Sequence, residues 1–265
     1  EGEGVAVIDR FVLSTVSLYS WDLGEVFSVA SEAGFRLLEV MVDRRQQSQD
    51  AGALGDLSQE YGLQIISIHA PFLLAYRKVW GRPLEKIQRS LQMARELGAE
   101  LVVLHLPYFW QVDYARWLYH NLNSLNRDGG PLLAVENAVF LNVGKRINLS
   151  FFNDLEDLAR FENVVLDTSH LAMGGVDIFQ AWRVLKDSVR HIHLSNNYLK
   201  GFDDHELPQK GRLPLDRFLS VLAREGYAHR LALELSPGSL GERFGRAEVL
   251  ARLREALQFC QENFR

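Results

Sequence analysis

Eight short apolar runs, rich in β-branched residues, alternate along this chain with longer stretches whose apolar residues recur at helical spacing. This alternation indicates β-α units, because a buried parallel strand reads as a continuous apolar run and its crossover helix has one apolar face. The predicted strands cover residues 11–18, 36–42, 63–69, 100–106, 132–137, 163–168, 189–195 and 230–236. Eight such units in about 250 residues predict an α/β fold, a (β/α)8 barrel, with a doubly wound open sheet as the alternative.

The chain is predicted to form one domain. No linker rich in Pro, Gly or Ser interrupts the alternation, so the barrel is expected to span residues 1–265. The longest stretch without periodicity is 196–212, and loops of that length in compact domains are usually functional or disordered. Because this loop contains Asp203, Asp204 and His205, we expect it to serve a function.

Composition narrows the range of partners and locations. The formal net charge is −5 and no run of basic residues is longer than Arg44-Arg45, which disfavours nucleic acid as a partner. No apolar run reaches the length of a membrane span. The single cysteine, Cys260, cannot form an internal disulfide, and the first residues do not resemble a signal peptide. A cytoplasmic location is therefore predicted.

Acidic and imidazole side chains recur where the predicted strands end. In barrels of this type the chemistry gathers at the C-terminal ends of the strands. The residues found there, or in the loop after the seventh predicted strand, are Glu39, His69, His105, Glu136, Asp167, His170, His193, Asp203, His205 and Glu234. One buried histidine would more often be structural, but converging carboxylates are costly to bury without a cation. Oxygen-rich ligands with a few imidazoles suit Mn, Co, Mg or Zn, so we predict a divalent metal site.

Two histidines of the seventh predicted strand need separate interpretations. His191 and His193 are two residues apart and therefore share a face of the strand. His193 is nearer the C-terminal end and is the predicted ligand, whereas His191 is predicted to lie deeper. Glu39 remains open between a functional role and a salt-bridged position on the rim.

Four sequence segments carry a resemblance to a known group of barrels. IISIHAPF, DTSHLAMGGVD, DDHELPQKG and LALELSP, in this order, are similar to motifs of the xylose-isomerase-like superfamily, and the resemblance covers nearly the whole chain. That superfamily includes sugar isomerases and epimerases, inosose dehydratase-type enzymes and endonuclease IV repair enzymes. The resemblance thus implies a metal-dependent enzyme on this fold.

Resemblance to the sugar epimerases implies specific roles. One divalent metal would be held by Glu136, Asp167, His193 and Glu234, and the two glutamates would also move the substrate proton. His69, His105 and His170 would bind substrate. The epimerases typically carry an arginine six residues after the ligand of the seventh strand, where this chain has Leu199. Lys200 and Arg212 are the candidates to replace it in substrate binding.

Resemblance to endonuclease IV implies that the same residues would bind more metal ions. There, nine residues hold three zinc ions, which would add His69, His105, His170, Asp203 and His205 to the metal ligands. Two segments depart from that family: Leu106-Pro107-Tyr108 replaces a Pro-Gly-Ser turn, and Leu194-Ser195-Asn196 replaces Leu-Asn-Asp. The acidic net charge also fits poorly with gripping a DNA backbone.

Three functions remain open at this point. The first is a metal-dependent isomerase or epimerase that acts on a sugar, sugar phosphate or related polyol through proton transfer and an enediolate. The second is a zinc phosphodiesterase acting on abasic DNA, and the third is a non-catalytic ligand-binding barrel. The favoured partner is a small carbohydrate. The aromatic run Tyr108-Phe109-Trp110 could stack on a sugar ring or pack a neighbouring subunit, so a homo-oligomer also stays open.

Overall fold

The computed structural model describes residues 7–72, 76–127 and 129–265, and its centre is a closed barrel of eight parallel strands. The barrel strands are β1 (Phe11–Ser14), β2 (Leu37–Met41), β3 (Gln64–His69), β4 (Leu101–His105), β5 (Leu132–Glu136), β8 (Val164–Asp167), β9 (Val189–Leu194) and β10 (Arg230–Leu233). β6 (Leu141–Asn142) and β7 (Arg146–Ile147) form a separate antiparallel ribbon. The barrel strands follow one another in chain order, and β1 closes the ring against β10. The predicted (β/α)8 barrel is confirmed.

Helices connect the strands on the outside of the barrel. They are α1 (Leu23–Ala33), α2 (Ala51–Tyr61), α3 (Pro83–Leu97), α4 (Val112–Leu125), α5 (Leu155–Leu158), α6 (Thr168–Gly174), α7 (Ile178–Leu185), α8 (Leu215–Arg224) and α9 (Arg246–Asn263). The main apolar core lies between these helices and the outer face of the strands. Smaller apolar clusters fill the barrel itself, one of them made of Val12, Leu37, Ile66 and Ala232. Among the described helices, none is long and apolar enough to cross a membrane.

A bulge in β3 determines which of its side chains face the inside of the barrel. Leu38 of β2 pairs with Ile65, but the next residue, Glu39, pairs with Ser67, so β3 has one extra residue at this point. Strand side chains alternate between the two faces, and an extra residue reverses the alternation beyond it. Ile65 accordingly packs in the outer core, whereas Ser67 and His69 point into the barrel.

A second bulge has the same effect in β9. Val164 of β8 pairs with Val189, and Val165 pairs with His191, so β9 also has one extra residue. Val189 belongs to the outer core. Beyond the bulge, His191 and His193 share the inner face with Val165. Because each strand has one extra residue, the imidazoles of His69, His191 and His193 point into the barrel. Without the extra residues they would lie on the outer face.

The first predicted strand is too long. Residues 15–18 form a 3-10 helix, Thr15–Leu18, instead of continuing β1. Side chains replace the ladder partners there: Thr15 Oγ1 accepts a hydrogen bond from the Met41 backbone N–H at 3.0 Å, and Ser17 Oγ accepts one from Leu235 N at 2.9 Å. The chain thereby turns inward at the C-terminal rim of the barrel.

Residues 150–161 have apolar residues at the spacing that predicts a helix, but only α5 is helical there. The preceding Asn153 is used as a loop anchor: its side chain accepts from Ala138 N at 2.7 Å and donates to Ala138 O at 3.0 Å. Asp154 then caps α5 by accepting from Asp157 N. An asparagine whose side-chain amide hydrogen-bonds to the backbone of a distant residue favours a loop over a helix.

Candidate metal centre

Nine acidic and imidazole residues meet at the C-terminal mouth of the barrel, and we call them the mouth cluster. They are His69, His105, Glu136, Asp167, His170, His193, Asp203, His205 and Glu234. Each comes from the end of a strand, from the segment directly after it, or from the loop 196–212. Seven of them line a cavity of about 240 Å³, while Asp167 and His193 lie beneath it.

Four members form a central group. His193 Nδ1 lies 2.6 Å from Glu136 Oε1, 3.0 Å from Glu234 Oε2 and 3.8 Å from Asp167 Oδ2. Ligand atoms of all four residues lie within 4.8 Å of one another. Within the described residues, Asp167 Oδ2 and Glu234 Oε2 are buried oxygens without a hydrogen bond. Orphaned carboxylate oxygens around one point are costly unless a cation compensates them, so this group fits a divalent metal.

A second group shares Glu136 with the first. His69 Nε2 and His105 Nε2 are 3.1 Å apart, and they lie 3.4 and 3.1 Å from Glu136 Oε2. Metal–ligand bonds of about 2.0–2.1 Å in a tetrahedral site separate neighbouring ligand atoms by about 3.3 Å. The three donor atoms therefore have the spacing of one face of a tetrahedral metal site.

The third group lies on the other side of the cavity. Asp203 Oδ2 is 3.3 Å from His170 Nε2 and 3.1 Å from His205 Nε2. The Nδ1 atom of each ring donates to a backbone carbonyl: His170 to Asn137 at 2.8 Å and His205 to Glu234 at 3.0 Å. A neutral ring held in this way turns an Nε2 lone pair toward the carboxylate, which is the second-shell arrangement of a metal-ligating histidine.

Without a metal, the same carboxylate favours protonated rings. Burial alone would lower the pKa of His205, but the Asp203 charge raises it to about 10. A cation between the two imidazoles would take the place of these protons.

The two glutamates of the central group differ in charge. Although burial alone would raise the pKa of Glu136, the adjacent His193 and its hydrogen bond hold that pKa well below its usual value. Burial and the nearby Glu136 charge raise the pKa of Glu234 to about 7. Environments that separate the pKa values of two carboxyl groups are typical of an acid and base pair.

A buried carboxylate supports the cluster from below. Glu39 is fully buried, and its oxygens accept hydrogen bonds from Ser14 Oγ at 3.1 Å and Ser67 Oγ at 2.9 Å. They also lie 3.1 Å from His191 Nε2 and 3.2 Å from His193 Nε2. Glu39 is thus not a rim residue, and His191 lies deeper than His193. In the sequence, Ser14 and Ser67 stand inside otherwise apolar strands, and this feature is the signal that could have indicated the hydrogen-bond network around Glu39.

Two predicted substrate-binding residues lie elsewhere. Lys200 and Arg212 line a separate cavity together with Asn142, Arg146 and Gly201, and they do not line the mouth cavity. Leu199 adopts a left-handed φ of +60°, and the Lys200 ammonium lies 5.5 Å from the centre of the Tyr198 ring. Because neither residue lines the mouth cavity, their role in substrate binding stays a prediction.

Apolar and aromatic side chains complete the mouth cavity. Val16, Tyr19, Leu106, Tyr108, Val139, Leu235 and Pro237 are among those lining it. The Tyr108 ring stacks on Trp110, with ring centres 4.7 Å apart and planes at 6°. Sequence reasoning identified the aromatic run at the mouth but missed Tyr19, because the residues that bring it there form a 3-10 helix instead of a strand.

Comparison with known proteins identifies the family. The profile of the xylose isomerase-like TIM barrel family matches residues 27–262. The chain belongs to this family. Uncharacterized proteins of Mycobacterium tuberculosis and Mycobacterium leprae are 31% and 30% identical to it, and each alignment covers 94% of this chain and 95% of the relative.

Solved structures of the same fold come from several bacteria. A xylose isomerase domain-containing protein from Salmonella typhimurium is 18% identical, with a TM-score of 0.73 over 97% of this chain and 98% of that chain. An AP endonuclease, family 2, from Brucella melitensis is 18% identical, with 0.69 over 92% and 96%. A D-allulose 3-epimerase from Methylomonas sp. is 15% identical, with 0.68 over 96% of each chain. At these identities the likeness shows the barrel fold of this family.

Proposed function

We propose that this protein is a divalent-metal-dependent isomerase or epimerase of a sugar, a sugar phosphate or a related polyol. The observation that carries the proposal is the pair Glu136 and Glu234, which both line the mouth cavity and flank the buried Asp167 and His193. The cavity of about 240 Å³ is slightly below the usual range for ligand pockets, about 300–1,000 Å³, so a monosaccharide-sized substrate suits it.

The chain's own residues would divide the work as follows. Glu136, Asp167, His193 and Glu234 would hold the metal, which supplies electrophilic stabilisation of charge that develops on substrate oxygens. Glu136 would accept a proton from the substrate carbon, and Glu234 would return one. The stacked Tyr108 and Trp110 would provide an apolar wall that excludes water.

Two structural relatives support this substrate class. One is the D-allulose 3-epimerase, solved in complex with D-allulose. Another, a 3-keto-D-glucoside 4-epimerase from E. coli, is 17% identical, with a TM-score of 0.65 over 93% of this chain. Both act on sugars and share the barrel that brings the mouth cluster together.

The first test combines metal analysis with a substrate screen. Elemental analysis of the purified protein should find about one Mn, Co or Mg per chain, and the loaded protein should interconvert at least one ketose or ketose phosphate with its isomer. Glu136→Gln and Glu234→Gln should each lower turnover by about 10²–10⁴-fold, because each removes a proton-transfer group. Near-normal turnover in either variant would contradict the role of that glutamate.

A second candidate function is favoured by one specific observation. The groups His69–His105–Glu136 and His170–Asp203–His205 have the spacing of additional metal sites beside the central one. Three clustered zinc ions would suit a phosphodiesterase acting on abasic DNA, as in the endonuclease IV group. Two or three zinc ions per chain, together with incision of an abasic duplex, would favour this candidate over the isomerase. Absence of incision by the zinc-loaded protein would argue against it.

A further inference from the structure

A cleft lined by basic residues opens on the same rim as the mouth cluster. It has a volume of about 820 Å³ and is lined by Arg44, Gln49, Tyr76, Arg77, Lys78, Val79, Trp80 and Arg89. Arg44 follows β2, and the segment from Tyr76 to Trp80 lies between β3 and α3, so the cleft faces the C-terminal side of the barrel. No described acidic residue lines it.

Three of the cations that line this cleft have no ionic partner among the described residues. Arg77, Lys78 and Arg89 form no ion pair with any residue in the described ranges, and all three are exposed. Many arginines elsewhere do pair with acids: Arg36, Arg45, Arg127, Arg160, Arg230, Arg246, Arg252 and Arg254. On a chain with a net charge of −5, like charges gathered without compensation form a local site of positive potential.

The walls of the cleft are held by buried contacts. Lys86, 3% exposed, donates from its ammonium to the carbonyl of Tyr76 at 3.0 Å and to that of Pro71, and it adds a further positive charge beneath the segment. Trp80 adopts a left-handed φ of +59°, which is costly for a bulky residue and is typical of functional segments. The cleft is therefore a positioned feature of the fold.

Arg45 connects the cleft to the mouth cavity. It follows Arg44 in the chain, and its guanidinium donates to the carbonyls of Leu18 at 3.3 Å and Trp21 at 3.0 Å, on either side of Tyr19. Arg44 lines the basic cleft and Tyr19 lines the mouth cavity. A ligand group in the cleft would thus be a neighbour of a ligand in the cavity.

We propose that the basic cleft binds the phosphate group of a phosphorylated sugar. Guanidinium groups pair with phosphate oxygens in bidentate fashion and a lysine adds a compact charge, so the unpaired cations match a phosphate ester. This inference rests on the proposed function, because it selects phosphorylated sugars from the wider substrate class. A phosphate of a nucleic acid has the same chemistry, and the experiment separates the two sources.

The test measures binding to the metal-loaded protein by calorimetry. Inorganic phosphate and fructose 6-phosphate should bind, and fructose should bind more weakly than its phosphate. Arg77→Gln/Arg89→Gln should weaken binding of both phosphate compounds by about ten-fold or more. The matched control, Arg183→Gln/Arg224→Gln, removes two exposed arginines from the last turns of α7 and α8 and should change these affinities by less than about two-fold.

Each contrary result has a distinct meaning. Equal loss in the cleft and control variants would show a general charge effect and overturn the phosphate site. Turnover of neutral ketoses without phosphate binding would overturn it too and leave the isomerase standing. Phosphate binding at the cleft without turnover of any sugar would support the phosphate site and argue against the proposed isomerase activity. Tighter binding of a single-stranded oligonucleotide than of fructose 6-phosphate, lost in the cleft variant, would overturn the sugar as the source of the phosphate.

Discussion

At the scale of single residues, the most informative side chain is fully buried and does not line the mouth cavity. Glu39 lies beneath the mouth cluster, where two serine hydroxyls hold its oxygens and His193 Nε2 is 3.2 Å away. The other ring nitrogen of His193 faces Glu136 and Glu234. A carboxylate behind a ligating imidazole fixes the orientation of the ring and increases its basicity as a ligand. Glu39 is therefore a positioning residue for the central group.

Replacing this carboxylate by an amide should weaken metal binding. Glu39→Gln preserves size but removes the charge behind His193, so we expect metal affinity to fall by about 10- to 100-fold. Competition with a chromophoric chelator measures the change. Ser14→Ala, which removes only one hydrogen bond to Glu39, is the milder control and should retain more of the affinity. Equal affinity of Glu39→Gln and the unaltered protein would contradict the positioning role.

At the scale of elements, the loop 196–212 shows how a segment without regular periodicity becomes ordered. Asn196 and Glu206 exchange two backbone hydrogen bonds of 2.8 and 2.9 Å, which close the loop that carries Asp203 and His205. The Asn196 side chain accepts from Leu213 N and donates to Pro208 O. The backbone and the side-chain amide of Asn196 thus fix the position of this loop with hydrogen bonds.

A glycine in this loop should tolerate no side chain. Gly211 has a φ of +111°, and an added Cβ would lie 2.5 Å from Asn196 Oδ1. Gly211→Ala should destabilise the protein by more than the strain of about 1–3 kcal/mol for the backbone alone, because Asn196 must also move. Gly226→Ala is the matched control, since Gly226 has φ +72° and open space around its Cβ position. Urea denaturation of both variants measures the difference, and equal losses would contradict the close contact.

The elements also separate what the sequence could and could not predict. The eight strands and most helices were predictable, because buried runs and helical periodicity are local signals. The inward direction of His69, His191 and His193 depends on one extra residue in β3 and one in β9, and no local pattern marks them. Because strand ends converge in such a barrel, the sequence predicted that the nine residues of the mouth cluster would meet, and the structure brings them together. Their roles as metal ligands or substrate-binding groups stay predictions.

At the scale of the whole molecule, a metal held by the mouth cluster would be coupled to protons. Burial and the Glu136 charge raise the pKa of Glu234 to about 7, and Asp203 raises that of His205 to about 10 in spite of burial. A metal binds the deprotonated forms of its ligands. Groups that keep their protons to higher pH in the metal-free fold must therefore release them when metal binds.

Metal affinity should accordingly rise with pH. Below about pH 7, Glu234 of the metal-free protein is protonated, so binding must displace its proton; above that pH this cost disappears. We expect higher affinity at pH 8 than at pH 6 and net proton release on binding. Calorimetry in buffers of different ionisation enthalpy measures the number of protons released. Equal affinities at the two pH values with no proton release would contradict this linkage.

The pairing of β1 with β10 has a consequence for how the protein is made. The strand that closes the ring is the last one in the chain, and Glu234 follows it directly. A growing chain leaves the ribosome with His69 and His105 long before Glu234 exists. Folding dominated by contacts between distant parts of a chain is slow, and a metal that binds only the closed ring stabilises that state alone. Metal acquisition would then mark the end of folding, and a protein truncated before β10 would lack both the ring and the complete central group.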